Sequence, residues 1–435
     1  MVTPADNRAA IIGGGPAGLA QARALQKLGI EFTIFERNAQ FGGLWNRDDP
    51  ASPVYDSAHL ISSRSMTGFD GFPMPEGWAD YPSAALVLDY IQSFATKFNL
   101  TEQTRFNSQV THAEPHQTGW DIEVNGKIER FRWLIAANGS NWKPNLPSWP
   151  GSFSGTISHA VGFSNEAEFA DQRVLVVGLG NSGADISCDI SHVARRTAVS
   201  LRRGYHVIPK HILGKPADVF ANTGPPLPRW LRQRIFQGLL RFLIGDLGKF
   251  GMPKPDHRLM ETHPLLSDLF VHHLRHGDIE ILGDIVGFDG ADVLFVGGGR
   301  EAFDHVICAT GFEWEIPYID PALLPWNRGR LAPPLSIFPE VNNLFLLSFI
   351  ESNGSSFSLF NLMSAVIAHA IDAEINAPET YEKLRTLLRE TTFDVTGGLK
   401  MQGTDRHVGY VDNRSYRKAL KKLSGAMGWQ MQTQG

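Results

Sequence analysis

Two glycine runs in this chain have the spacing that lets a backbone approach a pyrophosphate. The first is Ile11-Ile12-Gly13-Gly14-Gly15-Pro16-Ala17-Gly18, with G-x-G-x-x-G at Gly13, Gly15 and Gly18. The second is Val176-Val177-Gly178-Leu179-Gly180-Asn181-Ser182-Gly183, with the same spacing at Gly178, Gly180 and Gly183. In such a run the first glycine permits a tight turn out of a strand. The second leaves room for the phosphates, and the third lets helix and strand pack closely. The helix that follows offers unpaired N–H groups and the positive end of its dipole. One run alone is a weak signal. Two, each after an apolar strand and before a helical run, point to two bound nucleotides and a redox relay.

The residues that would read the two riboses differ. Eighteen positions after Gly18, the segment Glu31-Phe32-Thr33-Ile34-Phe35 ends at Glu36, where an acid accepts hydrogen bonds from ribose hydroxyls. The matching place after Thr197-Ala198-Val199-Ser200-Leu201 carries Arg202 and Arg203. Guanidiniums suit a 2′-phosphate. The first site thus reads as one for FAD or NAD and the second as one for NADPH. The competing reading of Arg202 and Arg203 is a solvated basic face, since Arg195 and Arg196 lie close by.

The elements that must hold these loops follow from periodicity. Residues 8–36 read as strand, glycine turn, helix and strand. Ala84–Phe98 has helical spacing, and residues 106–135 read as a small antiparallel meander with turns at Thr118-Gly119 and Asn125-Gly126. Trp133–Ala136 and Asp304–Ala309 are apolar strands that each run into a glycine. A proline-rich link, Lys143–Pro150, marks a domain edge. Leu344–Phe349 reads as a strand and Phe357–Ile375 as a helix after a Gly/Ser loop. The expected fold is α/β, with two Rossmann-like dinucleotide domains and the second inserted into a discontinuous first. Residues 1–164 would begin the FAD domain, 165–312 would form the NADPH domain with a helical insertion at about 210–265, and 313–435 would complete the FAD domain.

A chain of 435 residues, 43% hydrophobic, has ample material for two cores. A net charge of −5 argues against nucleic acid as a partner. The two cysteines, Cys188 and Cys308, form no C-x-x-C, and their scarcity fits a reducing, cytoplasmic setting. No signal peptide or spanning helix is expected.

One more segment sharpens the reading. Phe153, Gly155, His159 and Phe163 spell F-x-G-x-x-x-H-x-x-x-F just before the second fingerprint. This resembles the identifying motif of class B flavin-containing monooxygenases, and the related Baeyer–Villiger enzymes usually carry tryptophan where this chain has Phe163. The order of the chain is similar too: a first fingerprint, Gly42-Gly43-Leu44-Trp45, the motif, G-x-G-N-S-G and Ala309-Thr310-Gly311-Phe312. The resemblance implies FAD and NADPH as cofactors. It adds Gly43, Leu44, Trp45, Asn181, Ser182, Thr310 and Gly311 to the cofactor-binding candidates. It places His159 at an interdomain hinge, and it makes His159, Asn181 and Ser62 the candidates nearest the chemistry. The implied reaction forms a C4a-hydroperoxyflavin that passes one oxygen to an amine nitrogen or a sulfide. Baeyer–Villiger oxidation, oxidative decarboxylation of a 2-oxo acid and a non-catalytic flavoprotein sensor are the alternatives. Small-molecule substrate and O2 are the implied partners, with a homodimer expected. Many family members carry an asparagine in the loop before the Phe-Pro pair. Here His59-Leu60-Ile61-Ser62-Ser63 has none, so Ile61 or Ser62 takes its place.

Two clusters compete for attention. His257, His263, His272, His273 and His276 crowd one region, but no cysteine joins them, and Leu269, Phe270 and Leu274 read as core, so no metal is expected. Pro228–Phe250 sets Arg229, Arg232, Arg234, Arg241 and Lys249 among Trp230, Ile235, Phe236, Leu240 and Phe242. Peripheral membrane contact is one reading of it. The favoured one is an inserted helix that packs its apolar face on the NADPH domain.

Overall fold

A computed structural model describes residues 7–223, 228–399 and 408–430. Residues 224–227 of the expected insertion lie outside the described residues. The chain forms two compact units. One comprises Met1–Ser52, Arg64–Ser140 and Trp314–Gly435, and the other Pro53–Ser63 and Asn141–Glu313.

The first unit is built on a five-stranded parallel sheet ordered Leu344–Leu346, Trp133–Ala136, Ala9–Ile12, Phe32–Phe35, Thr104–Arg105. Four of these strands are buried at every position and continuously apolar or nearly so, the pattern of a sheet covered on both faces. The helix Pro16–Lys27 packs on the long helix Ser356–Asn376. That long helix is apolar enough to cross a membrane by length and composition, yet Leu359, Met363, Ile367 and Ile371 are all fully buried in the core. Each such side chain contributes roughly 1.5–3 kcal/mol by leaving water. The Trp133 indole N–H and the Arg132 guanidinium both donate to Glu374 and tie strand to helix. The expected meander is present as Val110–His116, Gly119–Val124 and Lys127–Phe131, with Asn125 and Gly126 both at positive φ in the second turn.

The second unit repeats the plan. Its parallel sheet runs Thr156–His159, His305–Cys308, Arg173–Val177, Arg196–Ser200, Ile279–Leu282. The division differs from the one expected from sequence at two places. Residues 141–164 belong here because Thr156–His159 pairs with His305–Cys308, and Gly151–Phe153 pairs with Phe288–Gly290. Residues 53–63 also belong here, held by side-chain hydrogen bonds described below. Cys188 and Cys308 are buried free thiols, and burial pushes the Cys308 thiol up to about 11. Neither is poised for redox exchange.

The insertion carries the helix Arg229–Ile244 and a short 3-10 turn, Leu247–Phe250. Its orientation bears out the favoured reading only in part: Leu240 and Ile244 are buried, but Trp230, Ile235 and Phe242 face solvent. Leu269 is likewise exposed rather than core, while Phe270 and Leu274 are buried as expected. The helix Asp268–His276 brings the His272 and His276 ring centroids to 4.0 Å at a 36° tilt, and no cluster of potential metal ligands occurs among the described residues.

Candidate nucleotide sites in the two units

The two glycine turns have the same local geometry. Gly15 and Gly180 cap their helices with φ −80° and ψ −177°, and neither helix has a side-chain cap. The first-turn N–H groups are therefore left for a ligand. Gly13 and Gly178 sit at φ +115° and +96°, in the region that favours glycine. A Cβ on Gly13 would lie 2.6 Å from the Ala137 carbonyl oxygen, and one on Gly178 would lie 2.9 Å from that of Ala309. A Cβ on Gly18 or Gly183 would collide with the carbonyl of Gly13 or Gly178. The middle glycines differ. Gly15 approaches Gly43, whereas a Cβ on Gly180 would meet no atom within 4 Å. The space above Gly180 is open, as a phosphate cradle requires.

In the first unit Glu36 lies just past the strand Phe32–Phe35 and is buried. Its carboxylate accepts from the Gly14 N–H at 2.7 Å and the Asn38 N–H at 2.8 Å. Burial outweighs these bonds and raises its pKa above the ordinary range. Two lone pairs remain for a pair of hydroxyls. Gly43, Leu44 and Trp45 form a 3-10 turn, with Gly43 at φ +55° and Leu44 exposed.

Sequence reasoning missed two hydroxyls on this same sheet edge. Ser348 follows the strand Leu344–Leu346 with φ +83°. Ser355 precedes the helix Ser356–Asn376 and caps it with no side-chain bond. Both hydroxyls are buried without a partner. A strained backbone and orphaned buried donors at the carboxyl edge of a parallel sheet mark a ligand face. The Gly/Ser loop 352–358 was the available signal, but serine is too common to read alone. These groups and the first glycine turn fit an adenine dinucleotide that carries a polar ring system.

In the second unit Arg202 and Arg203 follow the strand Arg196–Ser200 at its carboxyl end, Arg202 exposed and Arg203 half-buried and engaged within the chain. Arg195 and Arg196 lie at the opposite end. Arg196 is held by Glu280 and Glu301, and Arg195 by Asp304. The two arginine pairs are therefore separate features, and only Arg202 and Arg203 sit at the ligand edge.

The three residues placed nearest the chemistry are largely committed to structure. His159 ends the strand Thr156–His159 inside the second unit. Its Nδ1 accepts from the Val161 N–H at 3.1 Å, which leaves the proton on Nε2, and Nε2 donates to the Gly311 carbonyl at 3.0 Å. Burial lowers its pKa. A neutral ring with both nitrogens occupied orients the Gly311 turn and is not free to move a proton. The Asn181 Oδ1 accepts from the Leu266 N–H at 3.1 Å. Ser182 hydrogen-bonds Tyr55. Thr310 donates from Oγ1 to the Asn145 carbonyl at 2.5 Å, and Gly311 takes φ +81° with open space at its α-carbon.

The loop Pro53–Ser63 is pinned along its length. The Tyr55 hydroxyl donates to Asp185 at 2.9 Å, Ser57 donates to Asp189, and the Ser63 N–H and hydroxyl both donate to Asp218. Burial raises the pKa of both Asp185 and Asp189. Between these anchors Ile61 is 39% exposed, while Ser62 is half-buried and engaged within the chain. Ile61 is thus the open position in the loop that lacks an asparagine.

The chain is similar to known proteins over most of its length. The profile described as FMO-like, flavin-binding monooxygenase-like, matches residues 6–413. A probable indole-3-pyruvate monooxygenase of Arabidopsis thaliana, YUCCA8, is 30% identical over 331 residues, 72% of this chain and 76% of its own. Flavin-containing monooxygenase 5 of Homo sapiens is 30% identical over 381 residues, 80% of this chain and 70% of its own. The solved S-allyl-L-cysteine S-oxygenase of Allium sativum shares the fold with TM-score 0.67 at 19% identity, covering 98% of this chain and 90% of its own.

Proposed function

The chain belongs to the flavin-binding monooxygenase-like family and is an FAD- and NADPH-dependent monooxygenase, and on that premise we propose how its residues divide the work and what it oxidises. The first unit holds FAD. Gly13, Gly15 and Gly18 shape its turn, Glu36 accepts from the ribose hydroxyls, and Gly43 lets the neighbouring backbone come close. Leu44 and Trp45 border the same turn. The second unit holds NADPH. Gly178, Gly180 and Gly183 shape the pyrophosphate cradle, Asn181 and Ser182 open the helix beneath it, and Arg202 and Arg203 meet the 2′-phosphate. Thr310 and Gly311 close the sheet edge beside it, with His159 holding their turn.

FAD held by the first unit would supply the redox chemistry: hydride from NADPH, then transfer of one atom of dioxygen to the substrate with the other leaving as water. The chain needs few acid–base groups for this, and the described residues supply binding and orientation. We propose a soft nucleophile, an amine nitrogen or a sulfide, as the acceptor. The observation that carries the reading is the pair of matched glycine turns with opposite ribose chemistry, a buried acid at one and exposed guanidinium at the other. A second reading, oxidative decarboxylation of a 2-oxo acid, is favoured by the likeness to the probable indole-3-pyruvate monooxygenase of Arabidopsis thaliana.

Product analysis separates them. With NADPH and 18O-labelled dioxygen, thioanisole should yield a sulfoxide carrying one labelled oxygen. Indole-3-pyruvate giving carbon dioxide and the shortened acid, with no sulfoxide, would transfer the assignment to the second reading. Absence of labelled product from a panel of amines, sulfides and 2-oxo acids would remove both.

The loop adds a quantitative expectation. Ile61 offers no hydrogen bond where relatives of the resemblance offer an amide. One hydrogen bond contributes about 1 kcal/mol, or roughly a fivefold change in a competing rate. Ile61→Asn should therefore lower the share of NADPH that ends as hydrogen peroxide severalfold in the absence of substrate. A peroxide assay beside NADPH consumption checks it. An unchanged ratio would mean that another donor already serves.

A further inference from the structure

The helix Arg229–Ile244 is put together inside out. Gln233, Gln237, Leu240 and Ile244 follow helical spacing i, i+4, i+7, i+11 and form the inward face. Leu240 and Ile244 are buried, and the Gln233 amide donates to the Leu259 carbonyl at 2.5 Å. The opposite face is apolar and open. Phe242 is 85% exposed and Ile235 54%, and Trp230, on the flank, is 62% exposed. Five of the sixteen exposed large apolar side chains among the described residues fall between positions 230 and 250. Isolated exposed leucines are ordinary, but a dense apolar face signals an interaction surface.

Its charge says which kind. The helix contains no aspartate or glutamate. Arg234 and Arg241, seven residues apart, lie on one flank of the apolar stripe and are both exposed, as is Lys249 just beyond. Trp230 shares that flank. The chain as a whole carries net charge −5, so this basic face runs against the overall balance. Apolar side chains bordered by arginine and tryptophan, on a helix of sixteen residues, suit a helix lying flat in the headgroup region of a bilayer.

We infer that the outward face of Arg229–Ile244 docks on an anionic lipid surface, with Ile235 and Phe242 entering the acyl boundary and Arg234 and Arg241 meeting lipid phosphates. The inference stands apart from the oxidation chemistry and fails or holds without it.

Vesicle sedimentation of the full-length, flavin-loaded protein tests it, read by flavin absorbance in the pellet. Vesicles of phosphatidylcholine with added phosphatidylglycerol should carry the protein down, and phosphatidylcholine alone should do so far less. High salt should release most of it, because charge attraction is screened. Phe242→Ser should lower partitioning on the order of tenfold. Each arginine is worth about fivefold, so Arg234→Glu with Arg241→Glu should erase the preference for anionic lipid. Unchanged flavin content and melting temperature establish that the variants are folded. No excess sedimentation with anionic vesicles, or equal binding by wild type and variants, would overturn the inference. So would a solution dimer that Phe242→Ser converts to monomer, since the face would then belong to a second copy of the chain.

Discussion

Gly180→Leu should cripple the use of both NADPH and NADH while leaving the protein yellow and folded. The expectation comes from the space around this residue. Its backbone, at φ −80°, is one that leucine adopts freely, and a Cβ there would meet no atom within 4 Å. Such a side chain would point into the open space where the pyrophosphate is expected. Displacing a pyrophosphate from the helix N-terminus removes at least two charge-assisted hydrogen bonds, each worth about 1.5–3 kcal/mol. The apparent affinity for either nicotinamide nucleotide should fall by at least about a hundredfold. Steady-state kinetics with each nucleotide, beside flavin content per chain, measure it. A variant that loses its flavin but keeps its nicotinamide affinity would reverse the assignment of the two units.

Arg202→Ala should act on one nucleotide alone. A guanidinium contact to the 2′-phosphate is worth roughly 1.5–3 kcal/mol, or about ten- to a hundredfold in affinity. NADH lacks that phosphate. The Michaelis constant for NADPH should rise by that factor and that for NADH should stay nearly level. Arg195→Ala supplies the contrast: it lies at the far end of the strand beside Asp304 and should leave both constants unchanged. Equal effects of Arg202→Ala on the two nucleotides would make this arginine a solvated surface residue.

What could be read from the sequence, and what could not, follows from the reach of each signal. The glycine turns were legible because their positive φ and close backbone approaches admit no other residue, so Gly13, Gly18, Gly178 and Gly183 carry their geometry in their identity. Glu36, Arg202 and Arg203 were legible by counting from those turns to the end of the next strand. The ligand-edge hydroxyls of Ser348 and Ser355 were not, because what marks them is burial without a partner, a property of the fold. The membership of Pro53–Ser63 in the second unit rests on Asp185, Asp189 and Asp218, all more than a hundred residues away, and spacing along the chain cannot show such pairs. Periodicity gave the helix at 229–244 two faces and left open which one turns inward. Both faces carry apolar residues, Leu240 and Ile244 inward and Ile235 and Phe242 outward, so hydrophobicity alone could not choose. His159 was found by its motif, but its full set of hydrogen bonds makes it a holder of the Gly311 turn, which a motif cannot distinguish from a reacting group.

Anaerobic titration with NADPH addresses the central claim most directly. The purified protein should show an oxidised flavin spectrum with one FAD per chain. One equivalent of NADPH should bleach it, with NADH far slower, and admitting oxygen should restore it. A colourless protein that cannot be reconstituted with FAD, or a flavin that NADPH does not reduce, would contradict the account.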